Sequence, residues 1–154
     1  MLRLALAALH LFGFGIGIGA VWARSRSLRD NSFNVAAVRR AFVADSWWGI
    51  AALLSIGTGL WRLLGRVEKS TTYYTHDWIF LGKMRVYALL CVLELWPMIT
   101  LIRWRSLARG ARGAWQPDRR HARWMGLIGY VEVVLLVVMV IAAVSMARGY
   151  GYGD

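Results

Sequence analysis

Apolar residues occur in four long runs along this chain, separated by shorter polar segments. The runs cover approximately residues 2–23, 42–64, 78–102 and 122–147. About 20 apolar residues are enough for a helix to cross the hydrocarbon core of a bilayer, so each run is long enough to span it. No segment alternates apolar and polar residues with the period of two that is typical of a strand. The pattern predicts an all-α integral membrane protein, a four-helix up-down bundle that forms a single domain over residues 1–154.

Arginine is concentrated in two of the three segments that connect the runs. Residues 24–41 and 103–121 are rich in arginine, whereas residues 65–77 hold basic and acidic side chains in similar proportion. Basic loops of membrane proteins face the cytoplasm. We therefore expect residues 24–41 and 103–121 to be cytoplasmic loops, with both termini outside (N-out/C-out). The expected location is the bacterial cytoplasmic (inner) membrane, crossed several times.

Composition supports a membrane protein and argues against nucleic-acid binding. Hydrophobic residues make up 58% of the chain, compared with about 45–50% in soluble domains. The net charge is +11, but its carriers lie between the apolar runs and no nucleic-acid-binding motif accompanies them. The predicted partners are membrane lipids, including anionic head groups, and other membrane-protein subunits. Cys91 is the only cysteine, which excludes an internal disulfide.

Four glycines alternate with larger residues in the first run: Gly13, Gly15, Gly17 and Gly19. They do not form the phosphate-binding pattern G-x-G-x-x-G, because Ile18 stands where its third glycine would be. They form two overlapping G-x-x-x-G pairs instead. Small residues at this spacing let helices approach closely in a membrane, so the glycines predict a helix-packing seam.

Five ionisable residues lie within the apolar runs, away from the outermost turns or just inside them: His10, Asp45, Lys83, Glu94 and Glu132. A charge at the centre of a bilayer costs about 2.5–3.5 kcal/mol on insertion scales. These side chains are therefore expected to face the bundle interior, where they would be paired or neutral. Their depths predict an outer pair formed by His10 and Lys83, and an inner group of carboxyl side chains. Arg85 is expected to extend to the outer surface instead.

Helical spacing extends this set of candidates. Tyr87 lies on the same face of the third helix as Lys83 and Glu94, at offsets of four and seven. Arg24 lies on roughly the same side of the first helix as His10 and Gly13. Arginines near the inner boundary could act as counter-ions: Arg39, Arg40, Arg103 and Arg105. No spacing typical of metal ligands occurs, so no metal is predicted.

Several segments resemble a bacterial family of predicted four-helix membrane proteins described as a domain of unknown function. The resemblance covers most of residues 4–140 and is carried by "ALHLFGFG", "SWWGIAALLSIGTGLWRL", "FLGKMRVYALL" and "LELWPMITLIRWR". It implies the same four-helix membrane fold.

A more distant similarity is to the HemJ-type protoporphyrinogen oxidases, which are also small membrane bundles. It is carried by Leu9-His10, by residues 58–61 and by Lys83. Gly82 stands where that family has a histidine before the lysine. The similarity implies His10 and Lys83 as cofactor-binding residues, with haem or another tetrapyrrole as the cofactor.

Three functions remain open from the sequence. The first is an accessory or scaffold subunit within a larger respiratory or photosynthetic membrane complex, favoured by the glycine seam and by the lack of a complete catalytic constellation. The second is a haem- or tetrapyrrole-binding oxidoreductase. The third is a small transporter or proton-handling protein that uses Glu94 and Glu132. No catalytic residue is assigned, and a non-enzyme is favoured.

Overall fold

The computed structural model describes residues 1–64, 78–110, 115–148 and 150. Its helices are α1 (Leu2–Leu28), α2 (Val35–Leu64), α3 (Trp78–Gly110) and α4 (Arg119–Ala147), and no strand occurs in these described ranges. Each helix is long and apolar enough to cross a membrane. The predicted all-α four-helix fold is confirmed. The predicted outer segment 65–77 lies outside the described residues, and the orientation of the termini stays a prediction.

The helices extend beyond the apolar runs into the arginine-rich segments. Helix α1 continues to Leu28 and α2 begins at Val35, so the segment 24–41 is helical except for a connection at residues 29–34. Much of the segment 103–121 is likewise helical, and residues 111–114 lie outside the described residues. The loops are shorter than expected because apolar residues within these segments are buried: Leu28 is 1% exposed and Val38 is fully buried.

Polar side chains define where α2 and α4 begin. Asn34 Oδ1 accepts a hydrogen bond from the backbone N–H of Ala37 at 3.0 Å. Asp118 Oδ1 accepts from the backbone N–H of Arg120 at 2.7 Å. Such caps satisfy N–H groups that have no partner within the helix. The caps therefore fix the ends of both helices beside the arginine-rich connections.

Helix α1 packs against both α2 and α4, and α3 packs against α4. The order around the bundle is therefore α2, α1, α4, α3. The edge between α2 and α3 is joined by side chains at the arginine-rich end, where Arg105 donates to the carbonyl oxygen of Phe42 at 2.6 Å.

Two groups of buried apolar residues form the core. The basic-end cluster lies near the arginine-rich connections and consists of Leu28, Val38, Ala41, Leu101, Trp104, Ala122 and Met125. The mid-helix cluster lies deeper in the bundle and consists of Phe14, Val21, Leu90, Leu136 and Met139. Along α1, α3 and α4, charged residues fall between the two clusters. A polar layer is thus enclosed between two apolar layers.

The outward surface of the helices is apolar. Leu53 is 74% exposed, Val92 64% and Ile141 60%, each on a different helix. A soluble monomer rarely exposes so much contiguous apolar surface. In a bilayer these side chains face lipid, which agrees with a multi-pass membrane protein.

Candidate functional site

A buried guanidinium joins three carboxyl groups in the polar layer. Arg24 Nη1 donates to Asp45 Oδ1 at 2.9 Å and to Glu94 Oε1 at 2.6 Å. Its Nη2 donates to Glu94 Oε2 and to Glu132 Oε2, both at 2.7 Å. The pair with Glu94 is bidentate, the arrangement for which the planar guanidinium is suited. The Arg24 side chain is fully buried, so one cation ties together all four helices.

Arg105 adds a second cation at the edge of this group. Its Nη2 donates to the other oxygen of Asp45, Oδ2, at 2.9 Å. The Arg105 side chain is 29% exposed, compared with complete burial for Arg24 and Glu132. We call Arg24, Asp45, Glu94, Arg105 and Glu132 the ion cluster. Asp45 bridges its two cations.

The ion cluster holds more carboxyl groups than guanidinium groups. Asp45, Glu94 and Glu132 face Arg24 and Arg105. Two buried atoms, Arg24 Nε and Glu132 Oε1, have no hydrogen-bond partner among the described residues. Buried ionised groups are stable only when their geometry and hydrogen bonding compensate for lost hydration. The guanidinium occupies the point on which the three carboxyl groups converge.

Close contact between α1 and α4 allows this arrangement. The Ser25 hydroxyl donates to the carbonyl oxygen of Val21 at 2.8 Å and lies against Gly129. A Cβ at Gly129 would collide with that hydroxyl, and a Cβ at Gly126 would lie 3.1 Å from the Ser25 carbonyl oxygen. Because these two positions carry no side chain, α4 approaches α1 closely. Glu132 is thereby brought to Arg24.

His10 and Lys83 lie on the other side of the mid-helix cluster. His10 Nδ1 is 2.9 Å from Thr58 Oγ1, and the Thr58 hydroxyl lies 2.6 Å from the carbonyl oxygen of Leu54. Since a hydroxyl has one proton, which Thr58 donates to Leu54, Nδ1–H of His10 donates to Thr58. The His10 ring meets Phe14 edge-on at 5.1 Å, and Lys83 Nζ is 6.0 Å from the centre of the same Phe14 ring.

This histidine geometry fits one requirement of a haem ligand. Iron-binding histidines usually donate the second ring N–H to a nearby acceptor, which fixes the tautomer. Thr58 serves as such an acceptor for His10, and Lys83 supplies a positive charge near the same ring, Phe14. A bound haem would supply redox chemistry at this point. The assignment of His10 and Lys83 to a tetrapyrrole stays a prediction.

Tyr87 lies beside the apolar layer between the two polar groups. It packs against the mid-helix cluster, as a partly buried neighbour of residues such as Leu90. The apolar layer therefore separates His10 and Lys83 from the ion cluster, and Tyr87 lies at its margin.

The two glycine pairs of α1 have different environments. Gly13 and Gly17 face α2: a Cβ at Gly13 would collide with the Ser55 hydroxyl, and one at Gly17 would lie 2.9 Å from the Trp48 ring. Gly15 and Gly19 face outward, and a Cβ at either would meet nothing within 4 Å. Only one pair is therefore part of the internal packing seam.

Arg24 is a member of two sets in the sequence pattern, the basic segment 24–41 and the side of the first helix that carries His10 and Gly13. The structure shows that it is a buried member of α1, because that helix continues to Leu28. Its helical register with His10 and Gly13 is the signal in the sequence that points to this position. Arg105 belongs to the ion cluster. Of the other proposed counter-ions, exposed Arg40 pairs with Asp30 at 3.2 Å, away from the cluster.

Comparison with known proteins gives a family for nearly the whole chain. No curated protein and no solved structure matches it. A family model described as "Predicted membrane protein (DUF2214)" matches residues 2–151. The match includes all four helices and every residue of the ion cluster. The chain therefore belongs to the DUF2214 family of predicted membrane proteins.

Proposed function

We propose that this protein is an accessory or scaffold subunit that packs against another protein within a larger membrane assembly. The observation that carries the proposal is the outward glycine pair on α1, Gly15 and Gly19. It repeats the spacing of Gly13 and Gly17, which bring α2 into contact with α1. In lipid, the close approach that small residues allow is a main source of helix association.

A groove beside Gly19 adds to this surface. It has a volume of about 570 Å³, opens outward between α1 and α2, and has Arg39 and Arg40 at one end. Its apolar lining consists of Ile16, Gly19, Ala20, Ala23, Val43, Ala44 and Trp47. The groove can take the side chains of a helix seated on the glycine pair. The proposed occupant is an apolar transmembrane helix of a partner subunit.

The ion cluster agrees with a scaffold role. It joins all four helices through Arg24, and apolar layers lie on both sides. These ion pairs between helices hold the outward surface of α1 in a fixed position relative to α2. A pre-organised surface loses little conformational freedom when a partner binds.

The test is recovery of partner subunits from native membranes. The full-length protein is tagged, expressed in the native organism and purified in mild detergent. The parent is compared with the double variant Gly15→Leu, Gly19→Leu. We expect the partner proteins recovered with the parent to be lost, because leucine keeps the neighbouring helix at a distance. The control replaces Gly49 and Gly57 of α2 by leucine, since they are also outward and open. Equal recovery of partners by both double variants, or a parent that purifies alone, would overturn the proposal.

Proton handling is a second hypothesis, favoured by the composition of the ion cluster. Three carboxyl groups share two guanidinium groups, and Glu132 Oε1 has no partner among the described residues. One exchangeable proton would balance these charges. Glu94 and Glu132 would bind it in turn. Reconstituted vesicles would then show proton flux that is lost in Glu94→Gln and Glu132→Gln and kept in Asp30→Asn. Equal flux in all three variants would reject the hypothesis.

Tetrapyrrole binding is a third hypothesis, favoured by the position of His10 and Lys83 near the same Phe14 ring. It predicts a haem absorption band in the protein purified in mild detergent. His10→Ala should remove the band, and the control His121→Ala, at an exposed position, should keep it. A parent protein without visible absorption after growth with added haem precursor would reject the hypothesis.

A further inference from the structure

A second cavity lies at the start of α4, on a face distinct from the glycine pair of α1. It has a volume of about 400 Å³ and is lined by Arg119, Arg120, Arg123, Trp124 and Leu127. We call these five residues the basic pocket. All five are exposed, so the pocket is open to the surroundings of the protein.

Polarity changes in a fixed order along the basic pocket. Arg120, Arg123, Trp124 and Leu127 lie one above another on α4, because residues three, four and seven apart share a helix face. The arginines come first, then the indole ring, then the apolar side chain. A phospholipid has the same order of phosphate, interfacial glycerol and acyl chain. Tryptophan prefers the interfacial level.

The charge of the pocket is not neutralised within the described part of the chain. None of its three arginines forms an ion pair with a carboxylate there. Arg119 donates instead to the carbonyl oxygen of Asn31 at 3.2 Å. The acidic residue nearest in sequence is Asp118. Its Oδ1 accepts the hydrogen bond from the backbone N–H of Arg120, and its Oδ2 lies 2.6 Å from His121 Nδ1.

We propose that the basic pocket is a binding site for an anionic phospholipid, with the phosphate on Arg120 and Arg123 and the acyl chain beside Leu127. Arginine binds phosphate oxygens in a bidentate manner. Basic pockets at the membrane surface recognise anionic head groups for this reason. A net negative lipid is favoured over a zwitterionic one, because the quaternary ammonium of the latter would be placed among like charges.

Native mass spectrometry of the full-length protein in mild detergent tests the proposal. The probes are phosphatidylglycerol and phosphatidylcholine with identical acyl chains. We expect the parent to bind phosphatidylglycerol preferentially, and the double variant Arg120→Gln, Arg123→Gln to bind it roughly thirtyfold less tightly. The matched control is Arg103→Gln, Arg109→Gln, which removes the same charge from exposed positions on α3.

Three outcomes would overturn the proposal. Equal binding of the two lipids by the parent would show that no anionic site exists. Equal loss in both double variants would show that only overall charge matters. Displacement by free glycerol phosphate at the concentration of the lipid would show that the phosphate alone is bound. Because all four arginines are exposed, unchanged circular dichroism and elution volume should verify that both variants fold.

Discussion

At the scale of single residues, the guanidinium of Arg24 is hydrogen-bonded to carboxyl groups from the three other helices. A cation of this kind is not replaceable by an arbitrary positive charge. Lysine would keep the charge but lose the planar fork that bonds both oxygens of Glu94. The geometry of the group, as well as its charge, therefore determines how the helices are held.

We expect Arg24→Gln to destabilise the folded bundle by about 3–5 kcal/mol, because it leaves buried carboxyl groups without their cation. Reversible unfolding in mixed micelles, followed by circular dichroism, measures the change in the free energy of unfolding. Arg26→Gln is the matched control, since Arg26 is exposed on the same helix. Arg24→Lys should fall between the two. Equal stability of Arg24→Gln and Arg26→Gln would contradict the central role of Arg24.

The individual residues of the ion cluster were predictable to different degrees. Glu94 and Glu132 stand out in the sequence because a carboxyl group deep in an apolar run must find a partner. Arg24 does not stand out in this way, because it directly follows the apolar run and resembles a residue of a basic loop. Its register with His10 and Gly13 on the first helix distinguishes it. Which residues pair across helices depends on three-dimensional packing, which a single sequence does not specify.

At the scale of helices, the two glycine pairs of α1 lie in different surroundings. Gly13 and Gly17 contact α2, whereas Gly15 and Gly19 have open space around them. A shift of two residues turns a helical position by about 200°. Identical motifs on one helix therefore serve internal packing and, in our proposal, external assembly.

Alanine substitutions should separate the two glycine pairs. Gly17→Ala places a Cβ 2.9 Å from the Trp48 ring, and overpacking of this kind costs about 1–3 kcal/mol. Gly13→Ala should also destabilise the protein, because its Cβ meets the Ser55 hydroxyl. Gly15→Ala and Gly19→Ala should leave the isolated protein as stable as the parent or slightly more stable, since alanine favours helix. Thermal denaturation in detergent compares the four variants, and equal losses at all four positions would contradict the assignment of faces.

The stability of the first turn of α4 should depend on pH, because the carboxylate of Asp118 caps it. Hydrogen bonds from His121 and from the backbone N–H of Arg120 hold the pKa of Asp118 below its usual value. A carboxyl group with a lowered pKa contributes stability above its ordinary pKa, near 3.9, and loses it as the pH falls through the lowered value. Amide hydrogen exchange at residues 120 and 121 should therefore be faster in Asp118→Ala at neutral pH, while Asp118→Asn should still cap the helix. Unchanged exchange in Asp118→Ala would show that the cap does not hold this turn.

The existence of the helices was predictable from the sequence, and their ends were less so. Long apolar runs specify a membrane helix because the bilayer requires about 20 such residues. The arginine-rich turns beyond the apolar runs are helical because residues such as Leu28 and Val38 are buried in the basic-end cluster. That burial depends on contacts between helices, which no property of one segment reveals.

At the scale of the whole molecule, the arginine-rich ends of the four helices lie together. Connections 29–34 and 111–118 join α1 to α2 and α3 to α4 at the same end of the bundle. From the positive-inside rule we predict that this end lies in the cytoplasm. The all-α fold follows from the sequence pattern, whereas a function for the ion cluster does not, because similar residues serve structural pairing and proton transfer alike.

Cysteine labelling tests the orientation. In a Cys91→Ser background, Leu2→Cys should react with a membrane-impermeant maleimide added to spheroplasts, because the amino terminus is predicted to be outside. Ser32→Cys, in the connection between α1 and α2, should react only after the membrane is permeabilised. The reverse pattern would place the arginine-rich end outside and would contradict the predicted topology.

The ion cluster also bears on the order in which the chain is made. Arg24 is synthesised before any of its partners. Because it lies near the end of α1, its side chain can extend toward the head groups until the other helices are present. Asp45 and then Glu94 arrive with α2 and α3, and Glu132 comes last with α4. We therefore expect insertion of the final helix to complete the burial of the guanidinium, since Glu132 is the last of its partners to be synthesised. Chains cut short before α4 should leave Arg24 without Glu132 and one side of the bundle open.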